Sequence, residues 1–138
     1  MRLFLDANVL FSAALTPDGR ARALFELAGL KEMTLLASPH SIAEARRNIE
    51  LKYPDRAEEL RTLVEQLSET VEANPSMVAR AAERGLPAED APILAAAIQA
   101  HADLLVTGDR THFGHLYGQT IDGVEAVTPA EALARLLG

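Results

Sequence analysis

Residues 3–10 read Leu-Phe-Leu-Asp-Ala-Asn-Val-Leu, and this stretch decides the fold. Three consecutive apolar residues followed directly by Asp6 are typical of a short strand that is buried on both faces. The apolar spacing from Val9 to Leu15 then predicts a short helix. A buried strand that leads directly into a helix is the repeating unit of a parallel α/β sheet.

The rest of the chain continues this alternation of strands and helices. Further strands are predicted at residues 34–37, 103–107 and 123–127. Ser38-Pro39 and Thr128-Pro129 each predict the start of a helix, because Ser and Thr cap the first turn and Pro is favoured at its first position. We therefore expect an α/β fold with a mostly parallel central sheet, formed as a single domain over residues 1–138.

Composition excludes several classes of protein. Apolar residues make up 49% of the 138, which is too many for a disordered tail, yet no apolar run reaches the length of a membrane span. Met1-Arg2 passes directly into the first strand, so no signal peptide is expected. The absence of cysteine excludes disulfides, thiolate zinc sites and cysteine nucleophiles. A cytoplasmic location is the expectation that fits these features.

The charge of the chain is unevenly distributed. The net charge is −7, which argues against binding of nucleic acid through bulk basicity. Residues 1–53 nevertheless contain seven Lys and Arg against six Asp and Glu, whereas residues 54–138 contain six against fourteen. If a polyanion binds, the first third of the chain offers the better surface.

Four acidic residues stand where a parallel sheet places its chemistry. Asp6 and Asp109 each follow a predicted strand, Asp90 opens a predicted helix, and Glu44 lies in the helix that begins at Ser38-Pro39. Carboxylates that gather at one site repel each other unless a hard cation such as Mg²⁺ or Mn²⁺ lies between them. The spacing therefore indicates a candidate metal site.

Each of these acids also has an ordinary structural interpretation. Asp6 and Asp90 are suitable N-caps, and on local evidence the cap is the favoured interpretation of Asp90. Glu44 completes a capping-box pattern or faces solvent. An Asx turn accounts for Asp109 after a glycine. Glu89 is an alternative to its neighbour Asp90 as the acid of the site.

Together the motifs resemble those of the PIN-domain nucleases. The resemblance is carried by Leu-Asp-Ala-Asn-Val-Leu at residues 5–10, by Glu-Asp-Ala-Pro-Ile-Leu-Ala-Ala-Ala at residues 89–97 and by Leu-Val-Thr-Gly-Asp at residues 105–109, with Glu44 about forty residues after the first motif. It spans essentially the whole chain. It implies a three-layer α/β/α Rossmann-like fold and a ribonuclease dependent on Mg²⁺ or Mn²⁺, often the toxin of a bacterial or archaeal toxin–antitoxin pair.

The resemblance also implies roles for individual residues. The metal ligands and catalytic residues it implies are Asp6, Glu44, Asp90 and Asp109. Asn8 and Thr107 match the polar companions of that quartet, and we expect Arg46 and Arg110 to hold phosphates. In such a site a metal lowers the pKa of water to give a hydroxide that attacks the phosphodiester. Two departures from the family pattern are Ala7, where many members have Thr or Ser, and His101, where Gly is usual.

The partners expected from the resemblance are RNA as the substrate, a cognate antitoxin protein that blocks the acidic groove, and a second copy of the chain. The apolar positions of a helix predicted over residues 57–71 offer one surface for a homodimer, although they are expected to pack within the chain first. No membrane partner is expected.

Three alternatives fit the sequence less well than this resemblance. A haloacid-dehalogenase-like phosphatase needs a second Asp at the position of Asn8 and a Lys between its two acidic motifs, and a response-regulator receiver domain fails for similar reasons. A PIN-like binding module that has lost catalysis is the non-enzyme alternative, although all four acids are present.

Overall fold

The computed structural model describes residues 1–30 and 32–138. The strands are β1 (Arg2–Leu5), β2 (Thr34–Ala37), β3 (Ser68–Glu69), β4 (Leu104–Val106), β5 (Thr120–Ile121) and β6 (Val124–Val127). The helices are α1 (Ala7–Leu15), α2 (Arg20–Ala28), α3 (Pro39–Lys52), α4 (Ala57–Val64), α5 (Pro75–Ala82), α6 (Ala91–Gln99), α7 (Arg110–Phe113) and α8 (Pro129–Leu137). Short 3₁₀ helices at Pro54–Arg56 and Gly114–Leu116 complete the described elements.

The strands form one sheet in the order β3-β2-β1-β4-β6-β5. Every neighbouring pair is parallel except β5 and β6, which are antiparallel. This architecture confirms the predicted α/β class with a mostly parallel sheet.

Side chains alternate between the two faces of the sheet and so build two separate cores. Leu3 and Leu5 of β1 pack with α1 to α4 on one face, whereas Phe4 packs with α5, α6 and α7 on the other. The same alternation holds in β4, where Leu105 faces the core of Phe4. A strand covered on both sides is apolar throughout, which is why the run at residues 3–5 predicts the fold so well.

The strand order reverses between β1 and β4. From β1 the chain adds β2 and then β3 on one side, and it returns to place β4 on the other side. A crevice opens at the carboxyl ends of two strands whose connections leave in opposite directions, and ligands bind there in sheets of this kind. The residues at this point are Asp6 after β1 and Thr107 to Asp109 after β4.

Two short edge strands differ from the sequence-based expectation. The helix predicted over residues 57–71 ends at Val64, and Ser68–Glu69 pairs instead with β2. The amide of Thr70 also donates to the carbonyl of Ala37 at 2.9 Å. Pairing of this backbone with the open edge of β2 overrides the apolar periodicity, and Val71, the last position of the expected stripe, is exposed. At the other edge, β5 is not predicted from apolar periodicity, because it has only two residues and pairs with β6 across the tight turn Asp122-Gly123.

Both predicted helix starts are confirmed. The Ser38 hydroxyl accepts from the Ser41 amide at 3.2 Å, and the Thr128 hydroxyl accepts from the Glu131 amide at 3.1 Å. Because Ser38 caps α3, Glu44 lies inside the helix and the capping-box interpretation of Glu44 is wrong.

His101 adopts a left-handed backbone conformation after α6, with φ of 55°. The amide of the next residue, Ala102, donates to the carbonyl of Ala97 at 3.0 Å, which closes the helix in the way that usually requires glycine.

We expect His101→Gly to raise the free energy of unfolding by about 1 kcal/mol, because glycine adopts this conformation without a steric penalty. Urea denaturation measures the change. Ala100→Gly, at φ of −82°, is the matched control and is expected to destabilise. A destabilised His101→Gly variant would contradict the interpretation.

No helix within the described residues has the length and apolar character needed to cross a membrane.

Candidate metal centre

The four predicted acids line a single cleft. Asp6, Glu44, Asp90 and Asp109 all contribute to the wall of a cleft of about 160 Å³. It lies at the switch point between β1 and β4. Residues up to 103 positions apart in the sequence therefore meet at one place because the sheet brings their strand and helix ends together.

Asp6 is buried and held by hydrogen bonds on both carboxylate oxygens. Its Oδ1 accepts from the Ala7 amide at 2.7 Å, so Asp6 caps α1. Its Oδ2 accepts from the Thr107 hydroxyl at 2.9 Å and from Nδ2 of Asn8 at 3.0 Å. The other end of the Asn8 amide accepts from the Gly108 amide at 2.8 Å. Asn8 therefore ties the end of β1 to the loop after β4 and fixes the orientation of Asp6.

Burial raises the pKa of Asp6 from its ordinary value of 3.8 to about 6. Hydrogen bonds from Thr107 and Ala7 offset part of this effect, whereas the charges of Glu44 and Asp90 add to it. The folded protein therefore binds a proton at Asp6 more tightly than the unfolded chain does, and ionisation of Asp6 opposes folding.

This shift predicts a pH-dependent stability of the metal-free protein. The penalty is absent below pH 4, grows between about pH 4 and pH 6, and is fully present above pH 6. Asp6→Asn has no such charge. The free energy of unfolding of this variant minus that of the wild type is therefore expected to rise by up to about 3 kcal/mol from pH 4 to pH 7.5. Urea denaturation in EDTA at both pH values measures the difference. A difference between the two proteins that does not change with pH would contradict the prediction.

Asp90 immediately precedes α6, but its side chain makes no capping hydrogen bond. Its backbone is helical there, with φ of −99° and ψ of −23°, rather than extended as it is at the caps Asp6, Ser38 and Thr128. The cap interpretation of Asp90 is therefore wrong, and the carboxylate faces the cleft. Burial raises its pKa, which His112 lowers in part.

Asp109 lines the cleft on the β4 side, and the His112 imidazole lies beside Asp109 and Asp90. Oδ1 of Asp109 accepts from the His112 amide at 3.0 Å, three residues on, so Asp109 is the N-cap of α7 rather than the Asx turn that the sequence predicts. Oδ2 of Asp109 lies 3.0 Å from Nδ1 of His112, and Oδ2 of Asp90 lies 2.7 Å from the same nitrogen. The sequence motifs alone leave His112, like His115, as a residue that could assist the site rather than as one of its ligands. Its position three residues after Asp109, in a first helical turn, is the signal that points to it.

The α3 side of the cleft is formed by residues one turn apart. Glu44, Asn48 and Lys52 project from the same face of α3 toward the cleft. The Lys52 ammonium also lies 5.9 Å from the centre of the Phe11 ring. Asn48 and Lys52 were not predicted, although their spacing of four residues from Glu44 was available in the sequence.

A divalent cation fits the donors of this cleft. Ligand atoms of Asp90, Asp109 and His112 all lie within 4.8 Å of one another, and carboxylates are the oxygen donors that Mg²⁺ and Mn²⁺ prefer. Oδ2 of Asp90 is inaccessible to solvent and receives no hydrogen bond of normal geometry from the described residues, despite its short distance to His112. A buried carboxylate oxygen without a hydrogen bond is costly unless a cation balances its charge.

Comparison with known proteins places the chain in a family. A family model described as PIN domain matches residues 2–111, which contain all four acids. The chain belongs to the PIN domain family. PIN domains are a family of nucleases, so this chain belongs to a family of hydrolases.

Solved structures with the same fold include proteins from three distant organisms. This PIN domain superposes on VapBC2 from Rickettsia felis bound to a DNA fragment from their promoter with a TM-score of 0.71 and 16% identity, covering 93% of this chain and 98% of that one. PAE2754 from Pyrobaculum aerophilum superposes with a TM-score of 0.69 and 22% identity, covering 99% of this chain and 96% of that one. VapC20 of Mycobacterium tuberculosis, a sarcin-ricin loop cleaving toxin, superposes with a TM-score of 0.59 and 15% identity, covering 87% of this chain and 97% of that one. No curated protein matches by sequence. At these identities the likeness concerns the fold.

The remaining predicted site residues of the PIN domain occupy different environments. Thr107 is fully buried, and its hydroxyl contacts Asp6 and Asn8 rather than the cleft surface. Arg110 lines a neighbouring cleft of about 580 Å³. Arg46 lies on another face of α3 from Glu44 and lines a separate cleft with Glu50. The structure thus does not bring Arg46 to the acids. Glu89 is exposed and is not among the residues that line the acidic cleft.

Proposed function

We propose that this PIN domain is an endoribonuclease dependent on Mg²⁺ or Mn²⁺. The observation that carries the proposal is the convergence of Asp6, Glu44, Asp90 and Asp109 on one cleft at the switch point of the sheet. Four carboxylates at one place repel a phosphate as well as each other, so the metal-free cleft is expected to bind RNA poorly. A bound cation reverses the sign of the local charge.

The proposed chemistry divides between the cation and the chain. When bound, a divalent cation lowers the pKa of water and offsets charge on the phosphate. The carboxylates of Asp6, Glu44, Asp90 and Asp109 hold the cation. The hydroxyl of Thr107 and the amide of Asn8 act as positioning groups, because they fix Asp6 by hydrogen bonds. No side-chain nucleophile is required.

The path proposed for RNA runs from the acidic cleft toward Arg110. A cleft of about 320 Å³ shares Asn8 and Asp109 with the acidic cleft, and through Ser12 and Gly108 it continues into the larger cleft that Arg20 and Arg110 line. Neither arginine has a carboxylate partner among the described residues, in contrast to Arg22, which pairs with Glu59. Free guanidinium groups suit the phosphates that flank a scissile bond.

A toxin role in a toxin–antitoxin pair is part of the proposal. The proposal is supported by the match to the PIN domain family and by the fold shared with VapC20, a sarcin-ricin loop cleaving toxin. The corresponding partner here is an antitoxin segment that carries an Arg against the carboxylates and apolar side chains against the exposed Leu51 and Tyr53, which flank Lys52 at the rim of the cleft.

A homodimer is also proposed, and light scattering of the purified protein tests it.

The phosphatase alternative is disfavoured by the position of Asn8. Both ends of its amide are engaged, with Nδ2 on Asp6 and Oδ1 on the Gly108 amide. An aspartate at this position, which the phosphatase mechanism needs, would place an oxygen against Oδ2 of Asp6 in place of the donor. The residue therefore serves as a bridge in the fold rather than as an acid.

Cleavage assays with three substrates test the proposed function. The purified protein is mixed with labelled single-stranded RNA, single-stranded DNA of the same sequence, or p-nitrophenyl phosphate, in Mg²⁺, in Mn²⁺ and in EDTA. Cleavage of RNA in either metal, none in EDTA and no release of p-nitrophenol is the expected result. Release of p-nitrophenol without RNA cleavage would favour the phosphatase. No reaction with any substrate by folded protein would favour a binding module.

A further inference from the structure

We propose that His112 supplies a nitrogen ligand to the metal of the acidic cleft, together with Asp90 and Asp109. The inference rests on the proposed function, because it concerns the metal of the same cleft. It adds an imidazole to a set of ligands that the sequence motifs describe as carboxylates alone.

The distances around His112 are those of neighbouring ligands on one ion. Nδ1 of His112 lies 2.7 Å from Oδ2 of Asp90 and 3.0 Å from Oδ2 of Asp109. Adjacent ligands of an octahedral cation with bonds of about 2.1 Å lie about 3.0 Å apart. Ligand atoms of the three residues fall within 4.8 Å of one another, so a small shift of the side chains would admit an ion between them.

The fold fixes His112 in this position through its backbone. The His112 amide donates to Oδ1 of Asp109 at 3.0 Å, which sets the first turn of α7. With Oδ1 engaged in this cap, Oδ2 of Asp109 is turned toward the imidazole of the same residue that donates the amide. Phe113, which follows directly, is fully buried and anchors the turn against the core.

Asp90 provides the second observation. Its Oδ2 is inaccessible to solvent, lies 2.7 Å from Nδ1 of His112 and receives no hydrogen bond of normal geometry from the described part of the chain. Because these two atoms are close but lack hydrogen-bond geometry, they fit two ligands of one ion better than a hydrogen-bond donor and its acceptor.

A mixed set of nitrogen and oxygen donors changes the metal preference. Imidazole is a common ligand of first-row transition ions and a poor ligand for Mg²⁺, which selects oxygen donors. With His112 in the set, the cleft is expected to bind Mn²⁺ more tightly than Mg²⁺. The competing interpretation is a protonated His112 that only neutralises Asp90 and Asp109, and in that case the metal carries no nitrogen ligand.

Pulsed electron paramagnetic resonance of the Mn²⁺-loaded protein distinguishes these two interpretations, because it detects the nitrogen of a coordinated imidazole directly. The proteins are the wild type, His112→Ala, His112→Gln and His101→Asn. His101→Asn is the control for the loss of one imidazole, since His101 is exposed and precedes β4, whereas the cleft lies beyond the other end of that strand. Asn also tolerates the positive φ at that position.

The expected result is a ¹⁴N coupling in the wild type and in His101→Asn that is lost in both His112 variants. Calorimetric titration is expected to show that the His112 variants bind Mn²⁺ at least about tenfold more weakly, with a smaller change for Mg²⁺. His112→Gln retains a polar side chain of similar size, so it keeps the test valid if His112→Ala does not fold.

Two outcomes would overturn the inference, and they separate it from the proposed function. Mn²⁺ binding without a nitrogen coupling in the wild type would remove His112 from the ligand set, while metal-dependent RNA cleavage would still stand. Absence of both Mn²⁺ and Mg²⁺ binding by the folded wild type would overturn the ligand role of His112 and the metal-dependent function together.

Discussion

Asp90→Asn is expected to lower the rate of RNA cleavage by about 10³-fold or more, with the fold retained. Loss of a metal-ligating carboxylate removes several kcal/mol of transition-state stabilisation, and each 1.4 kcal/mol corresponds to about tenfold in rate. The fold does not depend on this side chain, because Asp90 makes no capping hydrogen bond and its neighbour Ala91 begins α6 regardless. Single-turnover cleavage of labelled RNA in saturating Mn²⁺ measures the effect.

Glu89→Gln is the matched control for this variant. It removes one negative charge from the adjacent residue, and Glu89 is exposed and is not among the residues lining the cleft. Its cleavage rate is expected to stay within about twofold to threefold of the wild type, because an exposed charge is screened by salt. Equal losses in the two variants would mean that general charge near α6 matters rather than the Asp90 carboxylate. Full activity in Asp90→Asn would exclude Asp90 from the metal site.

Phe4→Ala is expected to lower the free energy of unfolding by about 3–5 kcal/mol, which is a large fraction of the stability of a single domain. Phe4 is fully buried in β1, between β2 and β4, and packs in the core formed with α5, α6 and α7. Its removal leaves a cavity beneath a central strand that has little freedom to collapse. Urea denaturation followed by circular dichroism measures the loss.

Phe4→Leu serves as the control because it keeps most of the buried volume, and it is expected to cost less than half as much. A small and equal loss in both variants would show that the sheet relaxes around the missing ring. Neither change touches the acids, so Mn²⁺ affinity under native conditions is expected to remain close to that of the wild type in Phe4→Leu. The pair therefore separates stability of the scaffold from chemistry at the cleft.

The central part of the fold could be predicted because its signals are local. The apolar runs at residues 3–5 and 104–106 are covered on both faces, so burial leaves an unbroken apolar pattern. Ser38 and Thr128 mark the starts of their helices, because each caps its helix by a hydrogen bond within four residues. By contrast, β3 exists because the open edge of β2 offers unpaired backbone groups, and that information lies in distant residues. The strand β5 pairs with β6 across Asp122-Gly123, so its signal is the local hairpin turn rather than an apolar pattern.

The candidate site divides in the same way. The positions of Asp6 and Asp109 could be predicted, because each follows the end of an apolar strand in the sequence. The geometry of the sheet explains why these two residues meet. The surroundings of Asp90 were not predictable, because its backbone conformation decides that the side chain leaves the helix end uncapped and faces the cleft. From the sequence, His112 is only a residue that could assist the acids, because a histidine near a short helix is more often structural or exposed. Its distance to Asp90, 22 positions away in the sequence, is a tertiary property.

Thr107 shows how burial changes the interpretation of a motif. The sequence motif Leu-Val-Thr-Gly-Asp suggests a hydroxyl at the surface of the site. The residue is instead fully buried, and its hydroxyl both donates to Asp6 and accepts from the Asp109 amide at 3.1 Å. It joins two acids of the site from beneath, a position that only the packing of β1 against β4 reveals.

The most direct test of the account is the fate of solvent oxygen during cleavage. Single-stranded RNA is cleaved by the wild type in ¹⁸O-water with Mn²⁺ or Mg²⁺, and the product ends are analysed by mass spectrometry. Hydrolysis by water at the acidic cleft predicts linear phosphate ends that carry one solvent ¹⁸O, and no product in EDTA. Products with 2′,3′-cyclic phosphate ends, or cleavage that persists in EDTA, would contradict metal-dependent hydrolysis at this site.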